Sequence, residues 1–132
     1  MEPDAAIAHY SMGYSYAMLD RHVEAVDAFR KARDLAPSDY QMATALAWGW
    51  ALAGERDSAL AALEGVPEEG SNLKEIAIVY GTLGDLDTAF RYVDRLVEEA
   101  PAVMRQFAPD PTAHPLKADP RYQAALERAG VE

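Results

Sequence analysis

Cysteine is absent from the 132 residues, which removes disulfides, zinc–thiolate centres and thiol nucleophiles from consideration. Basic residues are scarce: 12 Lys and Arg stand against 22 Asp and Glu, for a formal net charge of −10. A nucleic-acid backbone would be repelled by such a chain, and no basic stripe offsets the repulsion. No apolar run approaches the roughly 18 residues that cross a bilayer, so no membrane partner is expected. The opening MEPDAAIAHY has no basic stretch ahead of an apolar one, so it does not read as an export signal, and a cytoplasmic location is the default.

Catalytic signatures are missing as well. There is no nucleophile elbow, no H-E-x-x-H helix and no phosphate loop. His9, His22 and His114 are far apart and none has a second histidine or a carboxylate at ligand spacing on the same helix face. Glu68-Glu69 and Glu98-Glu99 read as solvated charges. The expectation is a non-enzyme with no metal and no cofactor.

What is present is helical periodicity in a chain that is 50% hydrophobic. Over 22–35 the apolar residues Val23, Val26, Phe29, Ala32 and Leu35 recur at the three-to-four spacing of one helix face. Residues 39–53 are apolar nearly all round, which requires cover on several sides. Helices are predicted over about 4–19, 22–35, 39–53, 57–63, 71–84 and 86–99. Ser38 is the expected N-cap of the third, with Gln41 completing a capping box. Asp85 is the expected cap of the sixth. Three prolines in 108–115 argue against regular helix there, and one or two helical turns are expected over 102–107. Asp119-Pro120 opens a last helix that Gly130 stops.

The helices repeat in pairs. Tyr16, Trp50 and Tyr80 each precede an alanine, Ala25, Ala59 and Ala89, by the same interval, and Pro37, Pro67 and Pro101 close the three stretches. The second stretch reaches its proline four residues early, which predicts a second helix short by about one turn. These anchors resemble the tetratricopeptide repeat, a helix–turn–helix unit of about 34 residues. Met12, Gly13, Tyr16, Ala25, Phe29, Ala32 and Pro37 carry the match in the first unit, with His9 where tryptophan is usual. Leu46, Ala47, Trp50, Ala59 and Leu63 carry it in the second, and Ile76, Ala77, Tyr80, Ala89, Val93 and Pro101 in the third. The resemblance implies an all-α fold, a right-handed superhelix of three such repeats at about 6–39, 40–69 and 70–103. Residues 104–132 would then form a proline-rich connector and a C-terminal capping helix.

Leu116, Asp119, Pro120, Arg121, Tyr122, Leu126, Arg128 and Gly130 are similar to a segment closing many bacterial tetratricopeptide proteins, among them adenylate cyclases, kinases and transcriptional regulators. That likeness implies a bacterial chain and membership of a longer signalling protein. Leu116, Tyr122 and Leu126 are the candidates for covering the last repeat; the alternative is a tail lying in the groove as an internal ligand.

The charge is unevenly spread, since residues 104–132 hold four basic and four acidic side chains and the preceding residues carry the whole excess. That excess serves solubility or attracts a basic partner. The family's function is to bind a peptide or partner helix in the concave groove lined by the first helix of each unit. Its groove positions fall here on Tyr10, Tyr14 and Met18, on Gln41, Thr44 and Trp48, and on Lys74 and Ile78. Only Lys74 is basic, so the carboxylate-gripping specificity of chaperone-binding members is not expected, and an apolar or aromatic anchor fits better. Three classes of role stay open: an adaptor for a protein or peptide, a self-association module within a larger protein, and a small-ligand sensor.

Overall fold

The computed structural model describes residues 3–131, with side chains from residue 5; Met1 and Glu2 of the opening stretch lie outside the described residues. The chain is all-α, with no strand among the described residues, and its consecutive helices pack in pairs. It divides into two compact units, Met1–Val66 and Pro67–Glu132. The first holds α1 (Pro3–Met18), α2 (His22–Leu35), α3 (Tyr40–Leu52) and α4 (Arg56–Leu63). The second holds α5 (Ser71–Thr82) and α6 (Leu86–Glu99). They are followed by 3-10 segments at Pro101–Gln106 and Pro111–Ala113, then α7 (His114–Lys117) and α8 (Pro120–Ala129).

The turn inside each pair is built the same way. Four residues after the anchor aromatic the backbone becomes left-handed, at Asp20 (φ 60°), Gly54 (φ 77°) and Gly84 (φ 84°). The next amide then donates back to the aromatic's carbonyl: Arg21 to Tyr16 at 2.9 Å, Glu55 to Trp50 at 3.0 Å and Asp85 to Tyr80 at 3.0 Å. This is the Schellman closure, which satisfies carbonyls left open at a helix end. Glycine takes the left-handed backbone at no steric cost, whereas Asp20 accepts some strain. Across the turn Ala25, Ala59 and Ala89 are completely buried, which explains their constant spacing from the aromatic.

In the first unit the core centres on Phe29, fully buried between two glycines. A Cβ at Gly13 of α1 would lie 2.6 Å from its ring, and one at Gly49 of α3 would lie 3.0 Å away. Tyr10 and Trp48 complete the cage, with centroids 6.0 and 6.1 Å from that of Phe29. In the second unit Leu73 and Val79 of α5 and Val93 and Leu96 of α6 meet Met104, Phe107 and Leu116 of the following segments, all fully or almost fully buried.

Three expectations are corrected. Asp39, not Ser38, caps α3: its carboxylate accepts from the Gln41 amide at 2.9 Å, and Gln41 turns away to hydrogen-bond Tyr10. The second helix of the middle pair has eight residues against fourteen in α2 and α6, a greater loss than one turn. Pro67 lies inside the connecting loop, separated from its helix by two more residues than Pro37 and Pro101 are from theirs. The helical turns expected over 102–107 are present as the 3-10 segment Pro101–Gln106, whereas His114 and Pro115, expected outside regular helix, enter a short α-helix. Pro115 falls in its first turn, where a missing N–H breaks no helical hydrogen bond. Asp85, Asp119 and Gly130 act as expected: the two carboxylates cap α6 and α8, and Gly130 closes α8 at φ 70°.

Candidate functional site

α1 and α3 lie side by side in the first unit and run in the same direction, since Tyr10 meets Gln41 and Tyr14 meets Trp48. From Ala5 to Leu19 and from Tyr40 to Gly54 neither stretch carries a charged Asp, Glu, Lys or Arg. Ile7, Tyr14 and Met18 fall on one stripe of α1, spaced seven and four apart. Ile7 is 57% exposed and Met18 49%, high values for side chains of this size. Tyr10 and Tyr14 are half-buried and Gln41 is exposed. The Tyr14 ring stacks on Trp48 with centroids 5.7 Å apart and planes 29° apart. Tyr10 accepts a hydrogen bond from the Gln41 amide at 3.4 Å.

The eight residues singled out from the sequence therefore have different placements. Tyr10, Tyr14, Met18 and Gln41 share a solvent-reaching face of the first unit. Trp48 and Thr44 are buried: Trp48 packs between Tyr14 and Phe29, and the Thr44 hydroxyl donates to the Gln41 carbonyl at 3.1 Å. They stiffen the floor under Tyr14 rather than present a surface.

Lys74 and Ile78 of the second unit are buried too, Lys74 to 6% exposure. The Lys74 ammonium is 2.7 Å from Asp110 and 3.7 Å from Glu75, and lies 5.8 Å from the centre of the Phe107 ring. Further along α5, Leu116 fills the space beside Gly81, where a Cβ would be only 2.9 Å from its methyl. The C-terminal segments thus cover both Lys74 and Gly81 while α8 packs on α6, with Arg121 reaching Asp87 and Arg128 reaching Asp94. Met104, Phe107, Ala113, Leu116 and Ala125 are completely buried. Exposing the three large ones would forfeit about 1.5–3 kcal/mol each. A tail so anchored is part of the second unit's core.

The electrostatics follow this packing. Burial alone would push the Asp110 carboxyl up, but hydrogen bonds from Lys74 and Thr112 outweigh it and hold the group below its ordinary value. Glu75 moves the other way, raised by desolvation and by Asp110 against the pull of Lys74. Glu68, expected to be merely solvated, instead accepts from Tyr92 and from Arg95, each at 2.8 Å, and its carboxyl is lowered by those bonds. Burial and the Glu68 carboxylate push the Tyr92 phenol up to about 12.

Among the described residues no group of three or more His, Asp or Glu is placed to hold a metal ion, and no helix is long and apolar enough to cross a membrane. Residues 6–39 match the family model of the tetratricopeptide repeat, and α1 with α2 forms the helix pair of that match. No curated protein matches the chain. Repeats of this family generally mediate protein–protein interaction. The apolar surface around α1 has the composition of such a contact, rich in aromatics and methionine and depleted of charge.

Proposed function

We propose that the protein is a non-catalytic interaction module that binds a peptide or helix of a partner protein on the α1 face of its first unit. The observation that carries this reading is the exposed, uncharged stripe Ile7–Tyr14–Met18, floored by the Tyr14–Trp48 stack and flanked by the Tyr10–Gln41 hydrogen bond. Aromatic side chains held rigid by buried neighbours lose little entropy on binding, and such anchors dominate interface energetics. The recognised segment is apolar or aromatic, because nothing on this face could pair with a charge.

The division into three repeats and a cap, at about 6–39, 40–69, 70–103 and 104–132, belongs to this reading. It is supported by the identical turn closures at Tyr16, Trp50 and Tyr80 and by the three buried alanines. So does a role inside a larger bacterial regulatory protein working in the cytoplasm, which rests on the tail resemblance alone. Of the sequence-named positions, Tyr10, Tyr14, Met18 and Gln41 make the contact, and Thr44 and Trp48 support it.

A peptide library selected on the wild-type protein alone, with the selected sequences then measured on Met18→Asp, tests the proposal. Selection of apolar or aromatic sequences that lose binding to Met18→Asp, with unchanged circular dichroism, is expected. Selected sequences that bind both forms equally would refute the assignment. A self-association module is the second reading, favoured by the exposure of Met12, Leu19 and Val23 on the same unit. Light scattering that shows a monomer over a wide concentration range excludes it.

A further inference from the structure

A cleft opens on the side of the first unit formed by α2, α3 and α4. There the residues opposite α2 are small, Ser58, Ala61 and Ala62 of α4, and they leave a cleft of about 250 Å³. Its floor is Leu46 and Trp50 of α3, and its other wall is Arg30 and Arg33 of α2. No carboxylate lines it, although residues 1–66 carry ten acidic and five basic side chains. Arg30 lies over the Trp50 ring at 5.5 Å from its centre, and no ion pair engages it among the described residues. Arg33 makes only a 3.3 Å contact with its exposed neighbour Asp34. A guanidinium stacked on an indole keeps its in-plane N–H donors available, so Arg30 is preorganised to receive an oxyanion.

We propose that this cleft is a separate binding site that takes an acidic peptide segment, with Arg30 and Arg33 holding a carboxylate and the Leu46–Trp50 floor taking the apolar side chain beside it. The site is independent of the α1 face. Its volume equals that of about eight waters, room for a carboxylate and one apolar side chain. A bare anion would satisfy the arginines but leave the apolar floor wet. A polyanion would face the full charge of −10, whereas a single carboxylate competes with Asp34, 3.3 Å from Arg33, for one of the two arginines. The occupant that meets both walls and floor is therefore a short acidic–apolar peptide.

The test is a titration of the isotope-labelled full chain with the acetylated, amidated tripeptide Leu-Asp-Phe, followed by amide and arginine side-chain NMR shifts. Saturable shifts at Arg30, Arg33, Ala61 and Ala62 are expected. Arg30→Gln and Arg33→Gln should each weaken binding by about tenfold or more, as loss of a charge-assisted hydrogen bond does. Replacing the peptide's Asp by Asn should do the same, Ala61→Leu should block the cleft, and Met18→Asp should leave binding unchanged. Absence of saturable shifts at millimolar peptide overturns the proposal. So does binding indifferent to both arginine variants, or inorganic phosphate that displaces the peptide as well as the peptide binds. All four substituted side chains border solvent, and circular dichroism verifies that each variant is folded.

Discussion

Replacing Asp110 by Asn tests how the C-terminal segments are held. The substitution keeps the shape and the acceptor oxygen for the Thr112 amide, which bonds Asp110 at 2.9 Å, but removes the charge 2.7 Å from the Lys74 ammonium. Breaking a buried pair by deleting one charge generally costs about 3–5 kcal/mol, because the other charge is left uncompensated. Two features reduce that figure here. The Asp110 side chain retains 19% exposure and Glu75 remains 3.7 Å from the ammonium, although the amide nitrogen that replaces Oδ2 can no longer accept from it. A loss of about 2–3 kcal/mol is expected, equivalent for a chain of this length to a fall in melting temperature on the order of 10 °C. Lys74→Met leaves the Asp110 carboxylate without its ammonium but still bonded by Thr112, so it should also destabilise, by about 1–2 kcal/mol, and the double variant should recover most of the loss. The pH profile gives a second readout. Asp110 has a lowered folded value, so its contribution is complete above the unfolded carboxyl value of about 4 and is lost as pH falls through the folded one. Denaturant unfolding between pH 2 and 7 should therefore show a wild-type loss in acid that Asp110→Asn flattens. An Asp110→Asn protein within 0.5 kcal/mol of wild type at pH 7, by the extrapolation error expected of such data, would refute the reasoning.

Other outcomes follow from the same contacts. Gly13→Ala should destabilise by about 1–3 kcal/mol despite alanine's better helix propensity, because Phe29 is trapped between Gly13 and Gly49 and cannot retreat; thermal unfolding checks it. Asp20→Gly should raise stability by roughly 0.5–1 kcal/mol by relieving the left-handed backbone that Gly54 and Gly84 adopt at the equivalent turns. Glu75→Gln should stabilise the protein increasingly as pH rises above the ordinary carboxyl value and not below it, because a raised carboxyl loses stability as pH climbs from the unfolded value through the folded one. Deleting residues 108–132 should lower the melting temperature and expose apolar surface to a hydrophobic dye, since it uncovers Phe107 and the α5 side chains beneath Leu116.

Much of this architecture is legible in the sequence because it is local. α2 and α6 match their predicted ranges, since an apolar stripe, a polar break and a cap are all encoded within a few residues. The constant interval between each aromatic and its alanine reflects one turn closure used three times. Where the sequence misleads, the deciding contact is distant or subtle. Asp39 and Ser38 are both good caps, and the choice depends on where the chain leaves Ala36. The shortening of α4 is understated by its proline, because Pro67 lies inside a longer loop, although the predicted end at 63 holds. Lys74 looks like a groove cation, yet its partner Asp110 is 36 residues away in an irregular segment that has no periodicity to read. Trp48 looks like a surface aromatic, yet α3 needs it against Phe29. Arg30 and Arg33 draw no notice on a helix rich in charge until the small Ser58, Ala61 and Ala62 of α4 leave the space in front of them open.

The most direct test of the interaction reading is NMR mapping of a selected partner peptide on the labelled protein. Shifts and intermolecular contacts centred on Ile7, Tyr10, Tyr14, Met18 and Gln41, abolished by Met18→Asp, are the predicted result. A peptide whose contacts avoid α1, or whose binding survives Met18→Asp in a folded protein, would contradict the account.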